Sequence, residues 1–174
     1  MLSLEGPRVA LRDWRDEDAS SLEPVCGDPE VCTFTSVPWT YTESAVREWI
    51  DRQRVRRADG SAVALAIADP ALDRAIGNVN LVRFDEAART AALGYWLLPA
   101  ARGQGFATEA SRVLCDWGFA KLNLTSIELA ILPENAPSHR VAEKLGAARQ
   151  GLRRDSHHAQ GKTWDMMIYT LTPD

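Results

Sequence analysis

The chain has 174 residues, 45% of them hydrophobic, with 20 Lys and Arg against 24 Asp and Glu and a formal net charge of −4. That length suits one domain spanning 1–174, and the acidic balance argues against nucleic acid as the main partner. No run approaches the roughly 18 apolar residues of a membrane span, and no charged segment followed by an apolar stretch opens the chain, so the expected location is cytoplasmic, with no membrane contact.

Residues 9–13 read as a first strand. Asp16 reads as the cap of a short helix to residue 22, its carboxylate accepting from first-turn N–H groups. Asp28-Pro29 marks a turn, and 37–41 is a loop carrying Trp39 and Tyr41. Residues 44–57 form the next helix, with Val46, Trp49 and Ile50 on one face. Its arginines, Arg47, Arg52, Arg54, Arg56 and Arg57, read as a solvated basic face. Strands at 62–68, 76–84 and Thr90–Leu97, joined by turns at Asp69-Pro70 and 85–89, form an antiparallel meander. A helix follows over 108–119, its buried stripe made by Ala107, Ala110, Val113, Leu114 and Trp117. Ser126–Ile131 is an apolar, central strand. Asn135 caps a helix with Pro137 in its first turn, which runs to Leu145 and ends on Gly146. The last strands are 147–152 and 163–171, joined by a polar loop at 153–162.

The unit 90–131 is a βαβ crossover, so its two strands should be parallel. A single mixed α/β sheet with helices on both faces follows. Cys26, Cys32 and Cys115 form no CxxC pair and read as free thiols in a reducing compartment. His157-His158 has no matching Cys/His set elsewhere, so no metal is expected.

The chemistry concentrates at Gly94-Tyr95-Trp96-Leu97-Leu98-Pro99-Ala100-Ala101-Arg102-Gly103-Gln104-Gly105-Phe106-Ala107-Thr108. A strand, a glycine loop and a helix start aim several N–H groups at one point beside the positive end of a helix dipole, an arrangement that holds phosphates. It is not a Walker loop, having no lysine, which sets aside a phosphotransferase; nor is it a GxGxxG dinucleotide fingerprint. Two glycines alone are equally a turn that needs open φ values.

Arg102, Gly105 and Ala107 fit the Q/R-x-x-G-x-G/A loop of the GNAT acetyltransferases, and the chain resembles that superfamily. Asn135-Ala136-Pro137-Ser138 and Glu143-Lys144-Leu145-Gly146 resemble its N-x-x-S and E-K-L-G segments, and Gly94-Tyr95-Trp96-Leu97 its fourth strand. Val9-Ala10-Leu11-Arg12 and Trp164-Asp165-Met166 resemble the RimJ/RimL-like branch, which acetylates ribosomal-protein N-termini. The resemblance implies a mixed, mostly antiparallel seven-stranded sheet with a splayed parallel pair, and acetyl-CoA as donor. It places the cofactor on Leu97, Leu98, Arg102, Gly103, Gln104, Gly105, Phe106, Ala107, Thr108, Asn135, Ser138 and Lys144, with Arg140 a further candidate. A backbone N–H near Leu97 would bind the oxyanion. The tyrosine acid of many relatives is replaced by Ala142, so the resemblance carries the acid role to Ser138, which could equally only cap the helix or bond pantetheine. It sets His157 near a glutamate of the branch as base, with Asp155, His158 and Asp165 as rivals. Trp39, Tyr41, Tyr95, Trp164 and Asp165 would line the acceptor site, with Asp85 a second attractor for a cationic amine. The acceptor is a primary amine, on a protein or peptide N-terminus or a small molecule. A non-catalytic CoA-binding module is the alternative, and a homodimer is the assembly common in the branch.

Overall fold

The computed structural model describes residues 2–173. One eight-stranded sheet carries the fold, in the order β1 (Ser3–Glu5), β2 (Ala10–Arg12), β3 (Ala62–Asp69), β4 (Arg74–Asp85), β5 (Thr90–Leu97), β6 (Ser126–Ile131), β8 (Lys162–Leu171), β7 (Ala148–Ala159). Only β5 and β6 run parallel; every other neighbour pair is antiparallel. The expected class and meander are present, with one strand more than the seven expected. That strand, β1, folds back on β2 around Gly6, whose N–H donates to the Val9 carbonyl at 2.8 Å. Three residues are too few to show alternation in a sequence.

Four helices flank the sheet: α1 (Pro29–Cys32), α2 (Glu43–Ala58), α3 (Phe106–Leu122) and α4 (Ala136–Leu145), with a 3-10 helix over Asp16–Val25. Strand β3 is buried on both faces and shows why the helices divide as they do. Its larger residues, Val63, Leu65 and Ile67, face the core under α3 and α4 with Val79, Leu81 and Leu114. On the other face Ala66 leaves room for the second core, where Val46, Trp49 and Ile50 of α2 meet Trp14 and Trp96. The Trp14 ring lies edge-on to Trp49 at 5.0 Å and stacked on Trp96 at 6.0 Å.

Two local expectations are corrected and a third is refined. The 3-10 helix is capped by Asp18, not Asp16: Asp18 Oδ2 accepts from the Arg15 N–H at 2.9 Å and pairs with buried Arg12 at 2.7 Å. The α2 arginines form the expected solvated face, Arg47, Arg52 and Arg54 being exposed, and on it Arg47 and Arg54 reach Asp16 while Arg57 reaches Asp13. The polar loop at 153–162 is part of a hairpin, β7 and β8 turning at Gln160 and Gly161, with a bulge between Arg153 and His157. Both turn residues have positive φ (50° and 70°), as a two-residue hairpin turn requires. Because β7 is an edge strand with mostly solvated side chains, it carries no apolar alternation to read.

Cys26 is half-buried, Cys32 and Cys115 are buried, and all three are free. Burial pushes the Cys26 thiol up to about 11 and Cys115 up to about 12. The protonated thiol is therefore the form present at neutral pH, and it is the thiolate that reacts. Iodoacetamide at pH 7.5 should leave the native protein unmodified by mass spectrometry, and alkylate all three sites once it is unfolded in guanidinium.

Candidate functional site

Strands β5 and β6 pair only through Thr90–Ser126, Ala91–Ile127 and Ala92–Glu128, after which no pairing continues between them. Strand β5 runs on to Leu97 beside β4, and β6 runs on to Ile131 beside β8. The parallel pair is splayed as expected. The Leu98 N–H donates to the Ile76 carbonyl at 2.9 Å. Antiparallel ladders alternate, so Gly77 and Leu97 form a non-bonded pair and the Leu97 N–H turns away from β4. By the same alternation the Tyr95 N–H faces the gap. Of the two amides expected to hold pantetheine, Leu97 is therefore available and Leu98 is committed within the sheet.

Beyond β5 the chain makes a short 3-10 turn, Pro99–Ala101, then the loop that starts α3. Gly103 and Gly105 are left-handed (φ 77° and 87°), and a Cβ on Gly103 would meet nothing within 4 Å. Gly105 is the N-cap of α3 and offers no side-chain acceptor, so the first-turn N–H groups of Phe106, Ala107 and Thr108 have no intrahelical partner. Glu109, the one acid in that turn, is drawn off to Arg8, bonding its backbone N–H at 2.5 Å and its Nε at 2.9 Å. Arg8 also bonds the Gln104 carbonyl at 3.1 Å and lies over the Phe106 ring at 5.1 Å. The loop is thus braced from behind, and its N–H groups remain free on the open side.

A groove of about 350 Å³ joins the splay to this loop. Tyr95, Trp96 and Leu97 line its floor; Arg102, Gly103, Gly105, Ala107 and Thr108 one wall; Asn135, Ser138, Arg140 and Lys144 of the α4 end the other. Asn135 Oδ1 accepts from the Ser138 N–H at 3.1 Å, the expected cap. The Tyr95 hydroxyl is buried without a hydrogen-bond partner. Burial pushes the phenol up to about 12, with the Ser138 hydroxyl pulling the other way.

Several predicted side chains are engaged with other parts of the chain or lie outside the groove. The Arg102 guanidinium is tied to Asp28 at 2.6 Å and the Leu97 carbonyl at 3.1 Å. The Gln104 side chain bonds the Ala100 carbonyl, and Phe106 packs on the core, so each can offer only its backbone. His157 lies outside the groove lining, with its ring 5.0 Å from Phe34 and 5.8 Å from Trp164, and its Nε2 is buried without a partner. The Asp165 carboxylate accepts from the Asp155 N–H at 2.9 Å, and Asp155 accepts from Thr163 at 3.3 Å, so both are spent on the hairpin. His158 is exposed opposite Thr163. Asp85 caps the turn at the far end of β5, accepting from the Ala88 N–H at 2.8 Å. Tyr41 packs on the second core and Trp39 is exposed, so the aromatic cluster is Phe34, His157 and Trp164. Phe34 carried no sequence signal; it is placed by α1, which sequence reading saw only as a turn.

His139 was also missed. Its ring sits 3.0 Å from the Tyr169 hydroxyl and 3.1 Å from the Leu132 and Pro133 carbonyls, holding the entry to α4. A second cavity, of about 500 Å³, lies between Trp14 and Gln53. Its arginines, Arg12, Arg15, Arg54 and Arg57, are all paired with aspartates, so it presents no free cation. Among the described residues no cluster of metal-ligating side chains exists, and no helix is long and apolar enough to cross a membrane.

Residues 8–148 match the family model of the acetyltransferase (GNAT) domain. The chain belongs to the GNAT acetyltransferase family. It is 33% identical over 171 residues to the uncharacterized N-acetyltransferase p20 of Bacillus licheniformis, covering 98% of this chain and 96% of that one. Its fold superimposes on Mycobacterium smegmatis RimJ in complex with CoA-disulfide (TM-score 0.86, 22% identity, 98% and 87% coverage). It matches RimL, a ribosomal α-N-protein acetyltransferase in complex with coenzyme A, at a TM-score of 0.83 (15% identity, 98% of each chain). This GNAT acetyltransferase carries its glycine loop beside the splay between β5 and β6.

Proposed function

We propose that this acetyltransferase uses acetyl-CoA as donor and acetylates a primary amine, with a protein or peptide N-terminal α-amine as the acceptor class. The observation that carries the reading is one continuous groove in which the open amide edge of β5 runs into the uncapped N-terminus of α3. The group fits: a left-handed glycine cradle without Cβ atoms suits close approach of a pyrophosphate, and unpaired strand amides suit the amides of a pantetheine arm. Acetyl-CoA brings the activated acetyl group as a thioester. The N–H groups of residues 103–108 would hold its diphosphate, with Lys144 and Arg140 beside it. The Leu97 N–H would stabilise negative charge on the carbonyl oxygen, a contribution of roughly 3 kcal/mol in acyl chemistry. Ser138 would donate to the departing sulfur, and His157, its Nε2 unpartnered beside Phe34 and Trp164, would take the proton from the amine. RimL, whose fold this chain shares, is described as an α-N-protein acetyltransferase, and that supports an N-terminal acceptor.

An acceptor screen with free-thiol detection of released CoA tests this. Peptides with a free α-amine should give turnover, and the same peptides with a blocked terminus should not. Binding of acetyl-CoA with no turnover on any peptide, polyamine or amino acid would overturn the reading in favour of a non-catalytic CoA-binding module.

A further inference from the structure

We propose that Tyr95 is a positioning residue for acyl transfer: its hydroxyl donates to Ser138 Oγ and so aims the serine's own proton at the sulfur that leaves. This rests on the proposed function. The phenol lines the same groove as Ser138. Strand alternation sends Trp96 into the second core and Tyr95 to the face under α3 and α4, the face on which Ser138 stands. Its hydroxyl is buried with no hydrogen-bond partner, and Ser138 lines the same groove. A buried hydroxyl left unpaired is costly, and a phenylalanine would pack there without that cost. An orphaned phenol at the reacting end of the groove is explained when a ligand completes the chain of hydrogen bonds.

The chemistry supports it. A serine that gives up its proton alone must become an alkoxide, a high-energy species. A serine that takes one proton as it gives another avoids that state. As the carbon–nitrogen bond forms and the carbon–sulfur bond breaks with its electron pair on sulfur, Ser138 passes its proton to sulfur and takes one from solvent, while Tyr95 keeps its own proton and its hydrogen bond holds the serine oxygen in line. The proton lost by the acceptor nitrogen to His157 returns to solvent and balances the one Ser138 takes up, so the protein ends unchanged. Burial keeps the phenol in its protonated, donating form at neutral pH.

Tyr95→Phe should lower kcat roughly tenfold, the worth of one neutral hydrogen bond, with the calorimetric Kd for acetyl-CoA unchanged. The double variant Tyr95→Phe, Ser138→Ala should be no slower than Ser138→Ala alone, since residues acting as one unit are not additive. Independently of activity, protein labelled with 13C at the tyrosine ζ carbon has three signals, from Tyr41, Tyr95 and Tyr169. Ser138→Ala, and separately addition of CoA, should move the Tyr95 signal more than the other two. Additive losses in kcat, or a Tyr95 resonance unmoved by both, would overturn the proposal. Absence of turnover in the wild type would instead overturn the function itself, and the resonance would still decide whether Tyr95 and Ser138 are coupled.

Discussion

Replacing Gly105 with valine should weaken acetyl-CoA binding by about a hundredfold or more while leaving the fold standing. Gly105 is the left-handed N-cap of α3 at φ 87°. A side chain there costs about 1–2 kcal/mol if the backbone holds its shape, which for a domain of this length lowers Tm by several degrees at about 2–4 °C per kcal/mol. The nearest obstacle to a Cβ is the Arg8 Nη2 atom at 3.3 Å, the movable end of an exposed side chain. Folding therefore loses little. Binding loses more, because relieving the strain rotates the peptide planes that aim N–H groups into the groove. Each charge-assisted bond to a phosphate contributes about 1.5–3 kcal/mol, and misdirecting two of them accounts for the expected factor. Calorimetric titration reads it directly, and an unchanged Kd would contradict the assignment of this loop.

Ser138→Ala should separate catalysis from binding. The cap bond from Ser138 to Asn135 uses the backbone N–H, which alanine retains, so α4 keeps its start. What disappears is the Ser138 hydroxyl, which lines the groove with Tyr95. A positioned proton donor contributes about 10²-fold at the lower end of its range, so kcat should fall by about that factor with Kd for acetyl-CoA within about twofold. If kcat were unaltered in a variant that binds normally, Ser138 would have no part in the reaction.

What the sequence made legible is what local chemistry dictates. The glycine loop, the Asn135 cap, the Gly146 stop and the apolar face of α2 each follow from a few adjacent side chains, and each is where it was expected; the buried stripe of α3 is shifted, running through Ala110, Ser111, Leu114, Cys115 and Gly118 with Ala107, Val113 and Trp117 half-buried at its edge. The splay of β5 from β6 follows from the family pattern and is present. The failures share one cause: they depend on partners that the local sequence pattern does not name. Asp16 is a reasonable cap until Asp18 is seen to be held by Arg12 from a neighbouring strand. The polar run at 153–162 looks like a loop because nothing local shows that it lies at a sheet edge beside β8. Leu98 is lost as a ligand because the Ile76 carbonyl already takes its N–H, a contact 22 positions back in the chain. The aromatic partner of His157 is Phe34, carried in by a helix of one turn.

The seam between β5 and β6 has a mechanical meaning. Helix α3 packs against β4 and β5, α4 against β6, and the two helices meet above the gap. The molecule is thus two slabs stitched at one end of the sheet and clasped by a pair of helices. A thioester ligand laid along the slit acts as a missing rung, joining edges that the polypeptide leaves unsewn. Occupancy should therefore stiffen the whole body, not merely the walls it touches, with slowed amide exchange on both slabs and a melting point that climbs with ligand concentration.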